Sequence, residues 1–275
     1  MTYHSPTDLE LALDLVSQGP GKIVAGGTDV YPSAKQGEHP SYYLDVTRIP
    51  GFSGVSADGA SLRIGAATTW TEIKKAALPP AFDALKQAAV EVGSIQIQNA
   101  GTIAGNICNA SPAADGIPPL LALDAQVELM SAARGVRILP LSDFILGVRK
   151  TALAKDELVT AILVPTPPKG ATSAFEKLGN RRYLVISISM VAVVLTFDTG
   201  GLITMARVAV GACSPVALRL PDLESYLIGK RPDQVAVAEH HLASLSPLTD
   251  VRGSSAYRLD VVATQCTRAI RRACA

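Results

Sequence analysis

"QNAGTIAGNICNASPAADG", residues 98–116, decides how this chain is read. It holds three glycines, five alanines and three asparagines, carries no charge before Asp115, and reads as backbone left bare rather than as core. A second such stretch, "KIVAGGTDV" (residues 22–30), lies upstream. A backbone amide approaches a phosphate oxygen closely only where no Cβ intrudes, and glycine removes the Cβ. Each stretch also supplies a threonine hydroxyl, Thr28 or Thr102. Neither is a one-loop nucleotide fingerprint, since the chain has no G-x-x-x-x-G-K-[ST] and no G-x-G-x-x-G. Two loops sharing one pyrophosphate would explain that. The competing reading makes each a tight turn packed on a neighbouring helix. The side-chain amides of Asn99, Asn106 and Asn109 favour a polar cofactor over a core.

The length of 275 residues fits one large domain or two smaller ones, and 48% hydrophobic residues are enough to bury a sizeable core. With 25 basic against 24 acidic residues and no Lys/Arg run longer than two, nucleic acid is not an expected partner. The start, "MTYHSPTDLELALDL", has no positive leader and no unbroken apolar stretch, so no signal peptide is expected. The most apolar run, residues 186–197, is too short for a membrane span and reads as a buried strand. Cys108, Cys213, Cys266 and Cys274 are scattered without metal-ligand spacing. They predict free thiols, no metal site in this chain, and a reducing cytoplasm.

Along the chain, "SPTDLELALDLVSQ" predicts a helix capped by Ser5. "KIVA" and "SYYLDVT" predict strands around a short helix at 29–37, so the first glycine pair directly follows a strand. "SGVSADGASLRIGAAT" predicts a hairpin turning at Asp58-Gly59. Phe82, Leu85, Ala89 and Val92 share one helical face. Strands "QVELMSA", "VRILPL" and "LVTAILVP" complete a second sheet, and "PTPPKG" (165–170) is the clearest linker. Beyond it come three strands, "SAFEKLG", "VISISMVAVVLTFD" and "LITMARVAVGAC". Helices follow at "PDLESYLIGK", "PDQVAVAEHHLASL" and "AYRLDVVATQCTRAIRRACA". The class is α+β, in two domains meeting near Pro165. His240-His241 reads as a surface pair on a polar helix face.

"AGGTDV" followed by "GTIAGNICNASPAADGIPPLLALDA", and "DVRGSSAYRLDVV" (250–262) near the end, closely resemble the flavin-binding subunit of the molybdenum hydroxylases. That family includes xanthine, carbon monoxide and N-heterocycle dehydrogenases. The resemblance covers nearly the whole chain in order. It implies an FAD-binding domain of PCMH type over 1–165, with subdomains 1–52 and 53–165. A C-terminal domain over 171–275, with a three-stranded antiparallel sheet and helices, would cover the flavin. The main chain of Ala25, Gly26, Gly27, Thr28, Asp29 and Val30, and of Thr102, Gly105 and Asn106, would hold the pyrophosphate. Asp115 matches an acidic FAD contact, though it would equally cap the helix after it. Val159 corresponds to an apolar residue beside the cofactor, Lys177 to a lysine near the flavin ring and Ile186 to a residue packed on its face. Val159 and Ile186 would sit in the core in any fold.

No residue pair resembles a catalytic acid and base, which suits a subunit whose chemistry belongs to its cofactor. The implied role is electron relay in a heterotrimer, or a dimer of heterotrimers. A large subunit would carry the molybdopterin cofactor and a small one [2Fe–2S] clusters. FAD on this chain would pass the electrons to NAD, a quinone or another acceptor. The rival readings are a self-contained flavin oxidase and a flavin-free interaction module. Some relatives carry an acid just before the position of Ile186, where this chain has Leu184-Val185, so the field on the flavin differs.

Overall fold

The structure, a computed structural model, describes residues 2–30, 32 and 40–274. Thr2–His4 (β1), Leu9–Ser17 (α1), Lys22–Val24 (β2) and Tyr42–Asp45 (β3) form the first unit. Its three strands are parallel, in the order β1-β3-β2. Nothing in the sequence marks β1, because three residues are too few to show alternation. The cap of α1 is Asp8, whose Oδ1 accepts the Leu11 amide at 2.9 Å, and not Ser5. Ser5 is drawn away by Asp45 on β3, to which its hydroxyl donates. The short helix expected at 29–37 falls largely outside the described residues.

Val55–Asp58 (β4) and Ser61–Gly65 (β5) make the expected hairpin. Asp58 pairs with Ser61, so the turn is Gly59-Ala60, one residue later than expected. Gly59 takes the left-handed position at φ +57°. Four short helices and one of nine residues follow in Trp70–Lys75 (α2), Asp83–Glu91 (α3), Ile95–Ala100 (α4), Ile103–Asn109 (α5) and Ile117–Ala122 (α6). The end of α4 and all of α5 lie inside the stretch that reads as bare backbone. Ser94 and Thr102 cap them, and Ile103 and Ile107 are fully buried, so part of that stretch is core after all. Gln126–Ser131 (β6), Gly135–Pro140 (β7), Leu141–Phe144 (α7), Ile145–Gly147 (β8), Lys150–Thr151 (β9) and Leu158–Pro165 (β10) come next. Five of these strands build an antiparallel sheet in the order β4-β5-β10-β6-β7. Its central β10 is buried throughout 158–164, as its unbroken apolar run requires.

Thr172–Leu178 (β11), Ser189–Phe197 (β12) and Ile203–Gly211 (β13) are the three expected antiparallel strands, and Leu218–Arg219 (β14) extends the sheet by one short edge strand. Pro221–Leu227 (α8) and Ser255–Arg272 (α9) pack on it. The helix expected at 232–245 is instead two 3₁₀ turns, Pro232–Gln234 and Glu239–Leu242. His241 explains the difference. Its side chain is buried, its Nδ1 accepts the Ala238 amide at 3.0 Å, and its ring lies 4.3 Å from that of Tyr226. Such a local bond competes with helical pairing. His241 is therefore an interior residue, not half of a surface pair.

The two halves are clasped by α3 and β11. Ser173 Oγ accepts the Ala84 amide at 2.8 Å, Gln87 Oε1 accepts the Phe175 amide at 2.9 Å, and Lys177 Nζ donates to the Glu91 carbonyl at 3.0 Å. Positions 84, 87 and 91 share a helical face, and 173, 175 and 177 share a strand face, so two different periods are matched residue for residue. Arg272, in the last turn of α9, donates to the outward carbonyl of Phe175 at 3.1 Å and also pairs with Glu176.

Trp70, the only tryptophan, is 1% exposed at the start of α2. A Cβ added at Gly116 would lie 2.3 Å from its Cη2, so the ring occupies the space a side chain there would need. Gly116→Ala should therefore cost about 1–3 kcal/mol through overpacking. Combined with Trp70→Phe, the loss should fall short of the sum of the single losses by ~1 kcal/mol in urea titrations. Simple additivity would show that ring and glycine are not in contact.

Candidate cofactor site

The two glycine stretches meet. A Cβ on Gly26 would lie 1.8 Å from the Ala100 carbonyl oxygen, so the first loop touches the end of α4 backbone to backbone. Gly27 adopts φ +68°, which glycine alone takes without strain. Between the stretches lies a cleft of ≈ 330 Å³. Ala25, Gly26, Gly27, Thr28, Asp29, Val30, Thr102, Gly105 and Asn106 all line it. Lys22, Ile23, Val24, Trp70, Val92, Ile97, Gly101, Cys108 and Asn109 complete the walls, and of these only Asn109 was pointed to in the sequence as suited to a polar cofactor. The lone tryptophan beside a Thr-x-x-Glu cap was the available signal for Trp70. Thr69 and Glu72 cap each other reciprocally there.

The amides of Gly26, Gly27, Thr28 and Thr102 donate to no acceptor among the described residues. Gly105 and Asn106 differ. Their amides cap α5, donating to Thr102 Oγ1 at 3.1 Å and to the Thr102 carbonyl at 3.0 Å. The second wall therefore presents the Thr102 amide and the Asn106 side chain in place of the two amides expected there. Asn106 Oδ1 is buried without any partner, a costly state for a polar atom. Lys22 Nζ donates to the Val30 carbonyl at 3.1 Å and steadies the loop from below. Burial pushes the Cys108 thiol up to about 12, so it stays protonated and is no nucleophile.

Asp115, Lys177, Val159 and Ile186 lie outside the cleft lining. Asp115 and Lys177 form one buried ion pair at 2.7 Å, their side chains only 10% and 6% exposed. Ser187 Oγ also donates to Asp115 at 2.6 Å. Burial pushes the Asp115 carboxyl up, while the Lys177 ammonium and the Ser187 hydroxyl pull it back. The lysine presents a dipole to its surroundings rather than a free cation. Val159 is buried in β10 beside a register shift. Ile186 is 54% exposed on the segment before β12, which begins only at Ser189, so it is not a core residue. Among the described residues no three His, Cys, Asp or Glu side chains converge as a metal would require.

Residues 1–167 match the family described as FAD binding domain in molybdopterin dehydrogenase, and 173–273 match the CO dehydrogenase flavoprotein C-terminal domain. The chain belongs to the FAD subunits of the molybdenum hydroxylases. It is 34% identical over 235 residues to the nicotinate dehydrogenase FAD-subunit of Eubacterium barkeri, covering 82% of this chain and 79% of that one. The xanthine dehydrogenase FAD-binding subunit of Escherichia coli O157:H7 is 31% identical, with 100% and 96% covered. The fold matches a chain of CO dehydrogenase from Oligotropha carboxidovorans with a TM-score of 0.93 at 28% identity, covering 100% and 97%. No helix of the described residues is long and apolar enough to cross a membrane.

For an FAD subunit the cleft has fitting chemistry. A pyrophosphate needs amide donors and freedom from Cβ atoms, and the unpaired amides with Gly26 and Gly27 supply both. The orphaned Asn106 oxygen additionally calls for a donor from a ligand.

The ion pair yields its own test. Lys177→Met leaves a buried carboxylate without its counterion and should cost about 3–5 kcal/mol. Adding Asp115→Asn should recover most of that loss, because no buried charge is left unpaired. Denaturant midpoints check it. A double variant as unstable as Lys177→Met would mean that the lysine stem, not the charge, carries the effect.

Proposed function

We propose that this chain holds one FAD noncovalently and relays electrons within a complex of three different subunits. The single observation behind this reading is the set of unpaired amides of Gly26, Gly27, Thr28 and Thr102 in a cleft lined by both glycine stretches, with the buried, unpartnered Asn106 oxygen on its second wall. The main chain of residues 25–30 and the Thr102 amide grip the pyrophosphate, and the Asn106 side chain accepts a further bond. Gly105 serves by letting α5 start tightly against Thr102. Asp115 and Lys177 lie on the side of the flavin ring as a paired dipole. Val159 backs the cofactor from the sheet, and Ile186, exposed on its loop, packs on the ring and is buried by it.

Residues 1–165 form the FAD-binding domain, with subdomains 1–52 and 53–165 that the separate parallel and antiparallel sheets support. Residues 171–275 form the domain covering the flavin. Bound FAD supplies the redox chemistry, taking electrons from the [2Fe–2S] clusters of a small subunit and handing them to NAD, a quinone, a cytochrome or oxygen. A large molybdopterin subunit hydroxylates the substrate. This chain's own residues bind and orient. The cleft's ionisable groups are Lys22, Asp29 and the protonated Cys108, a set without an acid–base pair placed for substrate work.

Asn106→Leu tests the cradle. It removes a buried atom without a partner, so the FAD-free chain should become no less stable and gain up to ~1–2 kcal/mol. FAD should bind at least about tenfold more weakly, corresponding to one lost hydrogen bond. Quenching of the single tryptophan, whose ring walls the cleft, gives the titration. Unchanged FAD affinity would place the cofactor elsewhere. The relay is tested by turnover: the flavin-loaded chain alone should reduce dyes with NADH at most. It should oxidise no N-heterocycle, aldehyde or carbon monoxide until the partner subunits are added. Substrate turnover by this chain alone would revive the self-contained oxidase.

A further inference from the structure

Three side chains from distant parts of the sequence meet on the rim of the cleft. Arg149 sits in the turn between β8 and β9. Its Nη1 donates to the side-chain oxygen of Asn109 and, at 3.3 Å, to the Asn109 carbonyl. The Asn109 amide nitrogen donates in turn to Asp29 Oδ2. Asn109 is the last residue of α5, and Asp29 belongs to the first glycine loop. The line Arg149–Asn109–Asp29 therefore runs from one wall of the cleft to the other.

Two left-handed residues flank this line. Ala110, directly after Asn109, lies at φ +44° and Arg149 at φ +58°. Both carry a Cβ, for which this region costs roughly 1–2 kcal/mol per residue. The two hold each other, the Arg149 amide donating to the Ala110 carbonyl at 2.9 Å. Ala110 is the left-handed C-cap of α5, and Arg149 lies in the two-residue turn joining β8 to β9, so a helix end and a hairpin turn present the two partners to each other. The polarity is fixed as well. The guanidinium demands the oxygen of Asn109 and the carboxylate demands its nitrogen, so the amide cannot flip without losing both bonds.

We propose that Arg149, acting through Asn109, is a positioning residue that holds the 25–30 loop against α5 and thereby sets how long FAD stays bound. The inference rests on the FAD reading above. A ligand gripped between two loops leaves only when they part, and this bridge ties them at their edge. Arg149 itself lies outside the cleft lining, so its effect falls on release far more than on capture.

The test uses the full chain loaded with FAD, with release followed by flavin fluorescence after dilution. Arg149→Ala and Asn109→Ala should each speed release about tenfold, as loss of a charge-assisted bond implies. Association should stay within about twofold, and the melting temperature of the FAD-free chain should not change. Asn109→Asp keeps the arginine bond but sets two carboxylates face to face, so release should be faster still. Adding Asp29→Asn rebuilds the bridge with donor and acceptor exchanged, and release should return close to wild type. A merely structural asparagine would not be rescued in this way. Unchanged release in Arg149→Ala, or failure of the exchange to rescue, would overturn the bridge alone. Should the Asn109 variants not fold, the exposed Arg149→Ala and Arg149→Gln decide by the same rate. A wild-type chain that binds no FAD would overturn the FAD reading and the bridge together.

Discussion

The approach of Gly26 to the Ala100 carbonyl governs the geometry of the cleft. Two backbones come this close only where one lacks a Cβ. The contact fixes the distance between the loop after β2 and the end of α4. Trp70 sets the level at which it happens, since its ring lies beneath Gly101 and fills the space beside Gly116. The glycines of the second stretch thus have divided work. Gly116 makes room for the ring, Gly101 for the Ile97 carbonyl, Gly105 lets Thr102 cap α5, and only the surface left over faces the cleft.

Charge around the site is handled by pairing. Asp115 and Lys177 neutralise each other in the interior, with Ser187 taking the second carboxylate oxygen. Either ion alone would be costly there. Lys177 is aimed by the clasp between α3 and β11, which fixes its ammonium on the Glu91 carbonyl as well as on Asp115. The placement of this pair therefore depends on the helix–strand register of α3 and β11.

The parts legible in the sequence were those carried by long patterns or by residue types with few uses. The apolar run of β10, the three long strands after the linker, and the α9 periodicity all have lengths that leave little choice. The two glycine loops were legible because bare backbone is unusual in a core, and all nine residues named from them share one cleft. What was not legible depends on tertiary partners. Ser5 lost the cap of α1 to Asp8 because a strand from elsewhere offered Asp45. The 232–245 segment lost its helix to the buried ring of His241. Ile186 looked like core because it opens the apolar run 186–197 read as a buried strand, yet that strand starts three residues later. The Asp115–Lys177 pair spans 62 positions, and no local pattern reports a separation of that size.

β11 is an edge strand, and an edge strand ordinarily offers a row of unmatched donors and acceptors to any passing chain. Here the outward amide of Phe175 is taken by Gln87 and its outward carbonyl by Arg272, while α3 lies along the strand. The template for sheet-to-sheet growth is closed at its middle by two side chains far apart in the sequence, Gln87 and Arg272. The closure leaves the chain less prone to aggregate through this edge whenever the edge meets solvent.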